Sequence, residues 1–190
     1  YGGALETELI STLVECDGGD PEQVEFVEVG NIDYLTGLEQ DRFDFVWVFE
    51  GWDVLRARSV DGVDVASVAF IDHTECIPDW YTPLVIANES LIPEMVEAFL
   101  AATTRGYEVA IDDPSAAAEA LLAGAPELDA ELVDASAEYH ATRFADPGTP
   151  WGTQDPEVWE RFEAFVREAG LTDVGVEVDE AVTNHHPPEQ

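Results

Sequence analysis

A chain of 190 residues, 46% of them hydrophobic and 26% charged, can build one substantial core or two small lobes, which excludes a wholly disordered protein. Its 42 acidic residues face only 7 basic ones, all arginine, for a formal net charge of -35. Such a surface repels phosphate backbones and anionic lipid, so nucleic acid and membrane surfaces are not expected as partners.

No apolar run reaches the length of a transmembrane segment. The acidic shell suits work at high salt, where screening relieves self-repulsion, or simply an acidic, lysine-poor proteome. Cys16 and Cys76 have no metal-like spacing and read as ordinary thiols; a disulfide would need a proximity that the spacing does not supply.

Tyr1-Gly2-Gly3 leads into an amphipathic pattern in which Leu5, Leu9, Ile10, Leu13 and Val14 share one face, predicting a helix to about Cys16. Asp17-Gly18-Gly19-Asp20-Pro21 stops it. If Tyr1 ends a strand, the glycine pair makes a strand-to-helix turn with backbone N–H groups facing a cleft; otherwise it is a plain turn. Residues 24–29 read as a strand, and 32–40 as a short helix capped by Asn31 or Asp33.

Residues 43–50 are apolar, β-branched and aromatic, which predicts a strand buried on both faces. It ends abruptly in Glu50, Gly51 and Trp52. A short helix over 52–58, a turn at Asp61-Gly62 and a strand over 63–71 follow. This alternation predicts an α/β fold with a mainly parallel sheet covered by helices.

Residues 72–80 form an irregular polar bridge, and 81–87 read as one more strand. Beyond 89 the pattern is helical: one helix over 91–111, another from Pro114 to Leu122, and a third reaching about Phe144. In 156–169, Val158, Trp159, Phe162, Phe165 and Val166 make an aromatic face with core spacing, and Gly170 ends that helix. Asp112-Asp113 reads as a solvated face, and His185-His186 as exposed tail rather than a metal site.

In α/β sheets ligands sit at the carboxyl ends of strands, which singles out Glu50. A carboxylate beside Phe49 and Trp52, with Gly51 letting the chain turn, offers a flat aromatic surface next to a two-oxygen acceptor. That chemistry suits a flat, nitrogen-rich ring. In a regular strand positions 47 and 49 share one face and 48 and 50 the other, so Trp47 reads as core unless Gly51 re-aims Glu50. No nucleophile elbow, phosphate-loop lysine motif or zinc spacing is present, and no cofactor or metal is expected.

Tyr1-Gly2-Gly3-Ala4-Leu5-Glu6, Trp47-Val48-Phe49-Glu50-Gly51-Trp52, Trp80-Tyr81-Thr82-Pro83 and Trp151-Gly152-Thr153-Gln154 before Val158-Trp159 occur in an order and spacing that resemble solute-binding proteins of ABC importers. The nearest group is similar to the thiamine-pyrimidine-precursor binders, whose relatives include flavin binders and a pyrimidine synthase. The resemblance implies a two-lobed type 2 periplasmic-binding-protein fold: 1–71 as the α/β second lobe, 72–88 as the interlobe crossing with its return strand, and 89–190 as helices completing the first lobe. Most of that first lobe, and any secretion or lipid-anchor signal, would lie upstream of Tyr1.

It further implies an extracytoplasmic receptor that hands a small heteroaromatic solute to an ABC permease. Tyr1, Gly2, Gly3, Trp47, Phe49, Glu50 and Trp52 would be the ligand contacts. Trp80 and Tyr81 would pack at the crossing. The synthase relatives carry a cysteine cluster before the return strand; here that stretch reads Ile77-Pro78-Asp79-Trp80-Tyr81, so binding without chemistry is preferred over synthesis. The same fold carrying riboflavin, a sulfonate or nitrate is the other alternative.

Overall fold

Helices begin where the sequence supplies a carboxylate cap or a proline. Asp33 accepts from the Thr36 amide, Asp113 from Ala116 and Asp129 from Leu132, each at 3.0 Å, satisfying amides that the first helical turn leaves without an internal partner. Pro93 and Pro114 occupy first-turn positions, where a missing N–H costs nothing. The computed structural model describes residues 3–30, 32–88 and 90–184. Tyr1 and Gly2, the alternative cap Asn31 and the His185-His186 pair therefore lie outside the described residues.

The helices are α1 (Ala4–Cys16), α2 (Tyr34–Glu39), α3 (Leu55–Ser59), α4 (Pro93–Asp112), α5 (Pro114–Gly124), α6 (Ala130–Ala141), α7 (Pro156–Glu168) and α8 (Val178–Ala181). Short 3₁₀ turns occupy Pro21–Gln23 and Phe70–His73, and a π-helical turn spans Glu50–Val54 immediately before α3.

The expected sheet is not among the described residues. Residues 24–29, 43–49, 63–69 and 81–87 run outside regular structure, without ladders. The run expected to be buried on both faces instead leaves Phe45 53% and Phe49 63% exposed, and in the expected return strand Ile86 is 90% exposed. β-Branched and aromatic residues favour extended backbone, but a strand also needs a partner for its amides and carbonyls, and local sequence cannot specify that partner. The strand half of the α/β expectation is therefore not met among the described residues, where helices and turns carry the regular structure.

The chain divides into two compact units. Unit 1 comprises Tyr1–Val48, Ser67–Tyr81 and Pro156–Ala181; unit 2 comprises Phe49–Ala66, Thr82–Asp155 and Val182–Gln190.

In unit 1, Leu9 of α1 and Ile77 are fully buried. Cys16, the last residue of α1, is disulfide-bonded to Cys76, with their α-carbons 6.1 Å apart. This corrects the expectation of two ordinary thiols; a 60-residue separation in sequence hides a contact that the fold makes. Leu35 of α2 is buried as well, and half-buried rings extend this interior. Trp47 meets Phe70 edge-on at 4.8 Å, Phe70 lies 5.9 Å from Trp80, and Trp80 stacks on Phe162 of α7 at 5.4 Å. Tyr81 lies 6.0 Å from Trp159, so the aromatic stripe of α7 meets other rings of its unit, but it is half-buried rather than the core its spacing predicts.

In unit 2, α6 packs against α5, α3 and the π-helical turn, and α5 packs against α4. Val54, Ala57, Ala118, Leu132 and Val133 are buried between these elements. Asp113 ends α4 and caps α5, so the two helices share a corner residue. Trp151 stacks on Tyr107 of α4 at 4.1 Å, and Tyr107 meets Phe144 edge-on at 4.8 Å. The side-chain amide of Asn184 closes a two-bond clasp on the Gln154 backbone, at 2.9 and 2.7 Å.

Candidate functional site

Glu50 opens the π-helical turn rather than ending a strand. The turn is held from within: the Asp53 carboxylate accepts from the Phe49 amide at 2.8 Å, while the Asp53 amide donates to the Phe49 carbonyl at 2.7 Å. A turn of this width projects its first side chain differently from a strand end, and such turns recur at functional sites. Glu50 is half-buried, and its Oε2 accepts a 2.9 Å hydrogen bond from the hydroxyl of Tyr139 on α6.

Gly51 makes that meeting possible. It is buried against α6, where a β-carbon would overlap the His140 ring and come within 2.8 Å of Cδ1 of Tyr139. Glycine is required here for close approach, so the sequence signal at position 51 is real but its cause is packing against a helix.

Tyr139 is itself fixed from its other side. The Arg143 guanidinium lies 3.7 Å over its ring, and Nη1 of Arg143 donates to the Tyr139 carbonyl at 2.8 Å and to Oγ1 of Thr142 at 3.2 Å. The ring and carbonyl contacts to Tyr139 follow from the i, i+4 geometry of a helix. One turn earlier, Nδ1 of His140 donates to the Ser136 carbonyl at 2.8 Å, which places the proton on Nδ1, and the imidazole stacks on Phe144 at 5.6 Å. Burial pushes the Tyr139 hydroxyl above its ordinary pKa of 10.0; the hydrogen bond and the charge of Glu50 add to this, and Arg143 opposes it. The phenol therefore stays protonated and donates to the carboxylate.

Of the other sequence candidates, Trp52 shares the π-helical turn with Glu50 and is half-buried, and Phe49 immediately precedes that turn with its ring exposed. Trp47 belongs to unit 1, where Phe70 covers its ring edge. Gly3 is the exposed residue before α1, also in unit 1. The structure thus joins Glu50, Phe49 and Trp52 within one unit. Tyr139, His140 and Arg143 are partners that sequence reasoning missed; Tyr139-to-Arg143 spacing was available, but the 89-residue separation from Glu50 carried no signal.

A hollow of about 200 Å³ lies elsewhere, in unit 1, lined by Glu160, Glu163, Val176, Glu177, Val178 and Asp179. None of the expected ligand contacts lines it, and its four carboxylates lack the aromatic surface that a flat ring requires. Chemistry therefore favours the Glu50 turn over this hollow. Cys16, Glu75 and Cys76 also cluster, but the disulfide occupies both sulfurs and leaves no thiolate to bind a metal.

The sequence profile of the NMT1/THI5 like family matches residues 1–117 and so takes in the Glu50 turn. The chain belongs to this family. Its fold is periplasmic-binding-protein-like. Among relatives, the formylaminopyrimidine-binding protein of Halalkalibacterium halodurans is 28% identical over 162 residues, covering 80% of this chain and 47% of that protein. The riboflavin-binding protein RibY of Chloroflexus aurantiacus is 32% identical over 117 residues, covering 55% of this chain and 32% of that protein. This chain accordingly spans about half or less of the length of the relatives it matches. Both relatives are binding proteins, and no helix among the described residues is long and apolar enough to cross a membrane.

Proposed function

We propose that the chain is part of an extracytoplasmic solute-binding protein of an ABC importer that binds a small heteroaromatic ligand, with formylaminopyrimidine as the leading example. The class rests on the family and on similarity over 162 residues to a formylaminopyrimidine-binding protein. The site rests on one observation, the half-buried Glu50 carboxylate held at a π-helical turn by a phenol. A carboxylate so placed accepts from the amino group of an aminopyrimidine, and Phe49 and Trp52 supply rings to cover its face.

On this reading the fold is the two-lobed α/β arrangement, with 1–71 as one lobe, 72–88 as the crossing and 89–190 completing the other. The apolar stretches at 24–29, 43–49, 63–69 and 81–87 are its strand segments. Tyr1, Gly2, Gly3 and Trp47 are further contacts to the ligand in an interlobe cleft. Delivery to a membrane permease follows from the importer class, and a disulfide between Cys16 and Cys76 is in keeping with an oxidising compartment outside the cytoplasm.

A second cargo, riboflavin, is favoured by the similarity to RibY over 117 residues. Calorimetric titration of the full-length protein with formylaminopyrimidine and with riboflavin separates the two. Glu50→Gln is expected to weaken binding of the preferred ligand about ten-fold while leaving the fold intact, because a charge-assisted hydrogen bond becomes a neutral one. Unchanged affinity in that variant removes Glu50 from the site.

A further inference from the structure

We propose that Tyr139 is the positioning residue for the Glu50 carboxylate, aiming it as an acceptor and so selecting ligands that present an N–H donor edge. The inference rests on the reading of Glu50 as the ligand's acceptor and adds to it a second residue and a specificity.

A glutamate side chain has three rotatable bonds, and a carboxylate at the mouth of a turn would sample many orientations. Ordering it costs conformational entropy that a ligand would otherwise have to supply on binding. Here that cost is met before binding. The Tyr139 hydroxyl holds Oε2 at 2.9 Å, and the phenol cannot swing away because its ring is covered by Arg143 at 3.7 Å and its backbone carbonyl is bonded to the same guanidinium. The turn is pinned to α6 from below by Gly51 against His140 and Tyr139. Three contacts from one helix thus determine where a single carboxylate faces.

The charges that act on the Tyr139 hydroxyl are those of Glu50 and Arg143; Asp53 shares the turn with Glu50, and the His140 imidazole is tied to Ser136. With its proton donated to Glu50, Tyr139 keeps the carboxylate in the acceptor role. A ring whose edge carries an amino group meets a complementary partner, whereas a ring edge carrying a carbonyl meets a second acceptor and is rejected. Loss of a donor where a site is built to accept one discriminates strongly between otherwise similar ligands.

The test uses the full-length protein and four forms: wild type, Glu50→Gln, Tyr139→Phe and the double variant. Calorimetry is run with formylaminopyrimidine and with an analogue whose ring amino group is replaced by a carbonyl and whose adjacent ring nitrogen is methylated, so that this edge carries no N–H. Phenylalanine keeps the ring under Arg143 and the packing on Gly51, and removes only the hydroxyl. Tyr139→Phe is expected to weaken formylaminopyrimidine binding about ten-fold, to leave the weak binding of the carbonyl analogue unchanged, and to cause no further loss when added to Glu50→Gln. A merely structural role would weaken both ligands alike and add in full to Glu50→Gln, and either result overturns the proposal. If Glu50→Gln weakens binding and Tyr139→Phe does not, this inference fails and the reading of Glu50 stands; if Glu50→Gln has no effect, both fail. A ligand-free measurement covers a Tyr139→Phe variant that does not fold: in ultraviolet absorbance titration, Glu50→Gln is expected to lower the midpoint of one tyrosine relative to wild type. An unmoved midpoint means the contact is absent in solution and overturns the proposal.

Discussion

Unit 1 carries a covalent long-range link, between Cys16 and Cys76, whereas unit 2 carries a hydrogen-bonded one, from Tyr139 to Glu50. The two links span 60 and 89 residues of sequence. Around the first, rings pack on rings from Trp47 through Phe70 and Trp80 to Phe162. Around the second, an aromatic ring carries a polar group to a carboxylate. A disulfide fixes a distance whatever the solvent does, while a hydrogen bond can respond to a ligand or to pH. The contrast sets a fixed constraint in unit 1 beside a reversible one in unit 2.

The largest expected effect breaks the covalent half of that contrast. Closing a 60-residue loop restricts the unfolded chain, and chain-entropy reasoning puts the stabilisation at about 4 kcal/mol. The Cys16→Ser, Cys76→Ser double variant is therefore expected to lose most of unit 1's stability, measured by urea unfolding with tryptophan fluorescence as the readout. Treatment of the wild type with a reductant should give the same shift. A double variant as stable as the wild type would mean that the ring cluster suffices and the staple is dispensable.

A smaller effect comes from separating the π-helical turn from α6. A methyl group at position 51 would overlap the His140 ring, and overpacking of this kind costs about 2 kcal/mol. Gly51→Ala is expected to lower thermal stability and to weaken ligand binding together, since the turn must move and carries Glu50 with it. If thermal stability falls while affinity holds, the approach of the turn to the helix matters for packing alone.

Most of the helices were legible, α8 excepted, because each is set by signals within a few residues of one another. The apolar face of α1, the helical pattern over 91–111 and the proline opening α5 predicted elements close to those observed, as did the Asp33 cap of α2 and the Trp159, Phe162, Phe165 stripe of α7. Residues 43–50, read as a doubly buried strand, form no ladder among the described residues, for a physical reason. Their β-branched and aromatic content does favour extended backbone, but burial and pairing depend on neighbours far away in sequence, and Phe45 and Phe49 are exposed instead. Glu50 stood out as a carboxylate among rings. Its actual partner, Tyr139, did not, because a tyrosine on a helix has no local mark distinguishing a donor to a distant acid from an ordinary packing residue. The same holds for Cys16 and Cys76, whose spacing matches no motif.

The smallest effect sharpens the polar half of the contrast through pH. In the unfolded chain Tyr139 titrates at the ordinary tyrosine value of 10.0; in the folded protein burial raises it, and the bond and charge of Glu50 raise it further against the opposing pull of Arg143. A raised pKa means the folded state holds the phenol proton more tightly than the unfolded state does. The resulting stabilisation is present in full below about pH 10 and is lost as pH climbs through the folded value. Above pH 10 the wild type is thus expected to lose stability along a steeper line than Tyr139→Phe, which has no phenol to titrate, and the two curves should run parallel below it. Glu50→Gln should fall between them, since it removes the acceptor's charge but leaves the burial that contributes most. Parallel curves across the whole alkaline range would show that Tyr139 ionises as freely in the folded chain as in the unfolded one, and the link in unit 2 would then have no energetic content.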